Sequence, residues 1–221
     1  MRNDRLSSSP PLDAADASRE ATLSLWDWRR EVADLYGAVR AAAPRAGWDH
    51  WRHTRDRLFR THPQTPLEAD QREGFRTIPL FRYDPSLRLV VGTRPIADRA
   101  PRRVEAGRDG ALTMSPFATT DGLAETLGGE LTLFWIGGYG GGVFLPFRDA
   151  TSGRESYGGG RYLLDTIKGA DLGRAPDGGL ILDFNFAYNP SCSYSDLWVC
   201  PLSPPENTLP TSVCGGEMLA I

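Results

Sequence analysis

Apolar positions in the first quarter of the chain recur at helical steps. Leu25, Trp28, Val32, Leu35, Tyr36 and Val39 fall three and four residues apart, which predicts one apolar stripe on a helix from Ser18, a suitable N-cap, to about Ala42. Pro44 and Gly47 break it. WDHWRHTRDRLFR then sets Trp48, Trp51, Arg55, Leu58 and Phe59 on one side of a second helix, and Pro63 and Pro66 stop that one. Residues 1–17 are rich in Ser, Pro, Asp and Ala without any stripe, and are expected to be a disordered tail.

After Pro66 the period changes. IPLFRY, RLVVGT, ELTLFWI, GVFLPF, GRYLLD and LILDFNFAY are short apolar runs between Gly- and Pro-rich turns, and each reads as a strand. ELTLFWI and GVFLPF, joined by GGYGGG, predict a hairpin with a loose glycine loop. Turn signals every 8 to 15 residues or so favour an antiparallel barrel or sandwich over a βαβ sheet. The expected fold class is α+β: a mostly antiparallel, barrel-like sheet with an N-terminal helical arm of two helices. Residues 18–221 are expected to form a single domain, with the arm over 18–62 and the β-rich core over 66–221.

One predicted strand, 180–189, carries unusual chemistry. Alternation sends Leu180, Leu182, Phe184, Phe186 and Tyr188 to a core face. Asp183, Asn185 and Asn189 fall on the other face with Ile181 and Ala187. Asp and Asn are poor strand formers, so the row has a local cost. It reads either as a solvated face with a capping carboxylate or as the lining of a barrel mouth. In the second case Asp183 is a general base or an anchor, and Asn185 and Asn189 orient a ligand.

A second polar group lies at 146–165. Asp149, Glu155, Tyr157 and Arg161 surround two glycine turns. Gly158 to Gly160 can present N–H groups to an anion, with Arg161 as a bidentate clamp. GGGR lacks the lysine and Ser/Thr of a phosphate loop, and a glycine-rich hairpin with Glu155 paired to Arg161 is the plain alternative. Cys192 and Cys200 have neither zinc-knuckle spacing nor a neighbouring histidine, since His50, His53 and His62 all lie in the arm. They are read as a structural pair, either thiols or a local disulfide clamping the loop. The arginines at 52, 55, 57 and 60 are read as a solvated helix face paired with Asp49 and Asp56.

Composition narrows the classes. The 221 residues are 40% hydrophobic and 24% charged, and the net charge of −3 gives no global attraction to nucleic acid or an anionic membrane. No apolar run approaches the roughly 18 to 20 residues of a membrane span. The N-terminus has no signal-peptide shape, so a cytoplasmic location is the expectation. No nucleotide, nucleophile-elbow or zinc-protease motif occurs. No cofactor is therefore implied, although a flavin or a metal stays open.

TPLEADQREGF (65–75), LFRYDP (80–85), FLPFRDATSGRESYGGGRYL (144–163), LDFNFAYNPSCSYSDLWVCPLSPPENTL (182–209) and GGE (215–217) together resemble the domain of unknown function 1684 family. Among the signature positions that the resemblance implies are Asp149, Glu155, Tyr157, Arg161, Asp183, Asn185, Asn189, Cys192, Cys200, Glu206, Asn207 and Glu217. It implies no mechanism. The leading expectation is an enzyme that works on a small, polar, carboxylate-bearing molecule. Asp183, Glu155 and Glu206 are its acid/base candidates, and Arg161, Tyr157, Asn185, Asn189, Asp149 and Asn207 its binding groups. The rivals are a non-catalytic module that holds a small ligand or a partner, and a structural ion network. A small-molecule ligand is expected as partner, with neither nucleic acid nor membrane, and the oligomeric state is left open.

Overall fold

A computed structural model of the chain describes residues 14–97, 100–105 and 110–219. Helix α1 (Ala14–Ala41) starts before the expected Ser18 cap, so residues 14–17 are helical rather than tail, and 1–13 lie outside the described residues. Helix α2 (Pro44–Thr61) begins on Pro44 itself, where a missing N–H has no helical partner to lose. The two helices run antiparallel: Trp51 Nε1 donates to Tyr36 Oη at 3.2 Å, and Arg57 pairs with Glu31. They approach closely at Gly47, where a Cβ would sit 3.3 Å from Val39. Two short helices, α3 (Ala69–Gly74) and α4 (Ala124–Leu127), complete the helical part.

The β-rich part is one antiparallel sheet nearly closed into a barrel. Its strands are β1 (Arg88–Pro95), β2 (Arg102–Glu105), β3 (Ala111–Asp121), β4 (Thr132–Ile136), β5 (Gly142–Phe147), β6 (Arg161–Asp165) and β7 (Leu180–Asp183). They order as β6-β5-β4-β3-β1-β7, with β2 attached to β3. Across the seam between β6 and β7, Tyr162 and Tyr188 exchange both backbone hydrogen bonds. The predicted hairpin is present as β4 and β5, with Phe134 opposite Phe144.

The pattern misled at several places, and β2 (Arg102–Glu105) carries no strand signal of its own. IPLFRY forms no strand, and makes only a bridge from Leu80 to Glu217. Strand β3, central to the sheet, went unread because ALTMSPFATTD has Pro116 in mid-run and no alternation. A bulge between Pro116 and Ala118 absorbs the irregularity. It sets Pro116 opposite Phe134 and Ala118 opposite Leu133, so the strand changes face there.

Two cores result. Val32, Leu35, Tyr36, Trp48, Trp51 and Leu58 of the helices pack on Phe134, Ile136, Phe144, Tyr162 and Phe186. The other face of the sheet gathers Val91, Leu133, Leu145, Phe147, Leu163, Leu182 and Phe184. The helical arm is therefore a wall of the first core, held by its own apolar stripe.

The turn before β4 is tied by one carboxylate. Glu130 accepts the Thr120 hydroxyl at 2.6 Å and the N–H groups of Gly122, Leu123 and Ala124 at 3.0–3.1 Å. Partial burial opposes its charge, but these hydrogen bonds win and hold its carboxyl below the ordinary glutamate value. A lowered carboxylate contributes stability above its unfolded value, about 4.3, and loses it as pH falls through the folded value. Glu130→Gln is expected to flatten the decline in urea midpoint below about pH 4. An unchanged slope would refute the role.

Candidate functional site

The polar row is not a strand face. Strand β7 ends at Asp183, and Phe184–Phe186 form a 3-10 turn. The fully buried Asp183 carboxylate caps that turn, accepting Asn185 N–H at 3.1 Å and Asn185 Nδ2 at 2.8 Å. Asn185 also takes Asp84 N–H at 2.9 Å on Oδ1 and donates Nδ2 to Asp84 O at 2.7 Å. Burial raises the Asp183 carboxyl, while Asn185 and the half-buried Arg88, 3.4 Å away, pull it back. Asn189 faces elsewhere: its N–H meets Glu217 Oε2 at 2.7 Å and its amide reaches Met218 O at 2.7 Å. The local cost of these residues in the sequence is the cost of three pins. Each fastens a different segment of chain.

Arg161 is also fully buried. Its terminal nitrogens donate to Asp149 Oδ2 at 2.7 Å, Val213 O at 2.9 Å, Glu217 O at 3.2 Å and Gly215 O. Phe81 and Phe147 flank its plane at 5.6 and 5.1 Å. The expected anion clamp thus grips Asp149 and the carbonyls of the C-terminal segment. Asp149 accepts Thr151 N–H at 2.6 Å with its other oxygen. Gly160 adopts φ +96°, and a Cβ there would lie 2.7 Å from Phe147 O. The glycines are required by this close approach of backbone.

The remaining candidates scatter. Glu155 is exposed, and its side chain does not pair with Arg161. Glu206 is partly exposed and forms an ion pair with Arg102. Asn207 is buried and fully used, with Nδ2 on Thr132 O and Pro146 O and Oδ1 on Thr132 N–H. Asp183 and Arg161 each close on their own partners, and neither lines a cleft described below. Tyr157 and Cys192 do come together, Oη to Sγ at 3.7 Å.

A second buried ion pair joins residues that the sequence does not link. Arg55 and Glu217 are both buried, with Nε to Oε1 at 2.8 Å. The other oxygen of Glu217 accepts Asn189 N–H and the Tyr194 hydroxyl, at 2.7 and 3.0 Å. Burial opposes the Arg55 charge, but Glu217 more than restores it. A signal existed, because Arg55 sits inside the apolar stripe of α2. The solvated-face reading therefore fails for Arg55. It also fails for Asp56, whose oxygens hold Thr77 Oγ1 and Ile78 N–H.

Cys192 and Cys200 are free thiols, both half-buried. Cys200 is pulled below the usual thiol value by the Cys192 S–H, by the N–H groups of Cys192 and Ser191, and by Lys168. Cys192 is driven up by the same contact and by burial. Tyr157 is pushed up to about 12, first by burial and then by Cys192.

A cleft of about 610 Å³ opens beside β1, β3, β4 and β5. Val90 and Phe117, 53% and 41% exposed, line it with Leu133, Val143 and Leu180. Arg174 stands at its rim, Nε bound to Gly178 O at 2.8 Å. A smaller cleft shares Val143, Arg174 and Leu180 with it. The β3 bulge that defeated sequence reading is what turns Phe117 into this space.

For a metal, Asp27, Glu31 and His62 can bring three ligand atoms within 4.8 Å of one another. Asp27 already pairs with Arg30, Glu31 with Arg57, and His62 Nδ1 accepts Gln64 N–H. A cation there would compete with two guanidiniums. No helix of the described residues is long and apolar enough to cross a membrane.

These features define a class: a nearly closed antiparallel barrel, walled by a helical hairpin and tied by buried ion pairs to its C-terminal segment. The chain belongs to the family described as "Protein of unknown function (DUF1684)", whose model matches residues 73–218. It is also similar to an uncharacterised protein of Haloarcula marismortui solved by solution NMR. That structure is 31% identical, covers 77% of this chain and 91% of its own, and superposes with a TM-score of 0.52. No curated protein matches the chain.

Proposed function

We propose that the protein is a non-catalytic module for binding a small amphipathic carboxylate in the cleft lined by Val90, Phe117 and Arg174. One observation carries the reading. An opening of about 610 Å³ exposes Val90 and Phe117, and among the described residues Arg174 and Asp177 are the charged groups that line it. Its size falls within the range of roughly 300–1,000 Å³ for small-ligand sites. Asp177 is engaged by Gly179 N–H at 2.9 Å, and exposed apolar side chains beside the Arg174 guanidinium suit a molecule with an apolar body and an anionic head. The acid/base reading is less well supported. Asp183 is saturated by Asn185 and Arg88, and Glu155 and Glu206 lie apart from it on the surface.

The anionic apolar dye anilinonaphthalene sulfonate should bind in this cleft and be displaced by decanoate more strongly than by decanol. Arg174→Gln should weaken decanoate by roughly fivefold, the scale of about 1 kcal/mol for a partly exposed ion pair, and leave decanol unchanged. Phe117→Ala should weaken both. Equal displacement by acid and alcohol, or dye binding indifferent to Phe117, would overturn the proposal.

A further inference from the structure

The outward face of α1 carries a pattern that the barrel and its cleft do not use. Leu23 and the buried Val32 are nine residues apart, two and a half helical turns, so they point in opposite directions. Val32 turns to the core, and Leu23 turns away from it. Asp16, Arg19, Glu20, Trp26, Asp27 and Arg30 lie three, four or seven residues on either side of Leu23 and share its face. Leu23 is 47% exposed and Trp26 62%. The face is an uncovered apolar centre in a charged frame.

We propose that this face pairs with the same face of a second copy of the chain, the two α1 helices lying antiparallel about a two-fold axis at Leu23. The order of charges carries the inference. Such an axis sets each position opposite the one equally far on the other side of Leu23. Arg19 then meets Asp27 of the second copy, and Asp16 meets Arg30 of the second copy. Glu20 falls opposite Trp26 of the second copy, whose indole N–H can donate to the carboxylate. The two Leu23 side chains meet on the axis. Every charge faces a counter-charge or a donor, and none faces its own sign. A parallel pair in register would set Arg19 against Arg19 and Asp27 against Asp27, so the pattern selects the antiparallel arrangement.

The charges are free to take part. Within the chain Asp16 pairs with Arg19 at 3.4 Å and Asp27 with Arg30 at 2.8 Å, yet all four side chains stay between 41% and 68% exposed. Arg30 also reaches Asp34 at 3.3 Å, and its guanidinium lies 5.9 Å from the Trp26 ring. The buried His62 holds Nε2 3.6 Å from Asp27 Oδ2, the oxygen that Arg30 does not take. From Asp16 to Arg30 the face is roughly 21 Å long. Antiparallel pairing places each barrel beyond the N-terminal end of the other α1, so the two bodies lie apart. A face of two heptads buries less than a standard interface, and the geometry therefore supports a weak, concentration-dependent dimer.

Sedimentation velocity of the full chain tests this at low ionic strength, where exposed charges are least screened. Between about 10 and about 500 µM the protein should pass from monomer towards dimer by mass action. Arg19→Glu and Asp27→Arg should each raise the dissociation constant about tenfold, since each turns two attractive pairs into two repulsive ones. An equimolar mixture of the two variants should regain the affinity of the unaltered chain to within about threefold, because the heterodimer keeps one native pair and gains one inverted pair. Trp26→Glu should abolish association. Leu197→Ser, in the exposed apolar stretch of the 190s loop, should leave it unchanged. A chain that stays monomeric throughout, a mixture no tighter than its two components, or a dimer indifferent to Trp26 or lost with Leu197 would each overturn the proposal. Circular dichroism of every variant separates lost pairing from lost folding.

Discussion

Arg161→Ala is expected to remove about 3–5 kcal/mol of stability, because it strands a buried charge. Asp149 would keep its carboxylate in a fully buried site with Thr151 N–H as its nearest donor. The carbonyls of Val213 and Gly215 would lose the guanidinium that gathers them. On a chain of this size, the loss corresponds to a fall in melting temperature of roughly 6–20 °C. Arg161→Met should do little better, since the added methylenes leave Asp149 unpaired. Arg161→Met combined with Asp149→Asn should be less damaging than the sum of the two changes, as expected when both members of one pair go. Urea denaturation of the four proteins measures this directly. A loss under about 1 kcal/mol for Arg161→Ala would instead assign the residue to ligand binding, where its removal leaves the fold untouched.

Glu217→Gln is the second large effect, and it reports on a different joint. Glu217 fastens three elements at once: α2 through Arg55, the segment after β7 through Asn189 N–H, and the 190s loop through the Tyr194 hydroxyl. Gln keeps the shape and one acceptor but leaves the Arg55 charge without its partner. That charge is enclosed by Trp51, Phe59 and Tyr188, with ring centroids at 5.0–5.2 Å. Their π faces offset only a fraction of a lost ion pair. A loss of about 3–5 kcal/mol follows. Hydrogen exchange adds a local readout: protection at the Asn189 amide should fall further than protection in β4 and β5. A uniform loss across the sheet would show that Glu217 acts on global stability alone.

These two joints explain why the acidic and amide residues of the family blocks looked like a site. In the sequence, Asp149, Arg161, Asp183, Asn185, Asn189 and Asn207 have the composition of a binding pocket. In the structure, Asn207 bonds to backbone of β4 and β5, Asn185 to backbone at Asp84, and Arg161 to three C-terminal carbonyls. Irregular segments cross the barrel here without a strand ladder, so their backbone groups need side-chain partners. Polar residues at fixed positions are what such a crossing requires.

What the sequence determined by itself is the part governed by local periodicity. The helical stripe of Leu35, Tyr36 and Val39, the apolar side of α2, and the hairpin of β4 and β5 follow from spacing alone, because burying a face imposes its period on the chain. The α+β class follows from the same patterns. The tertiary structure decided the rest. Strand β3 has no period of its own and exists because β1, β2 and β4 supply its hydrogen bonds. The apolar stripe of α2 marks Arg55 as facing inward, but its partner lies 162 residues away in the chain, and no local pattern names that partner. The cleft is likewise assembled from β1, β3, β4, β5 and the chain before β7. A charge is stable in the interior only where the fold brings its counter-charge, and that meeting is a property of the closed barrel rather than of any segment.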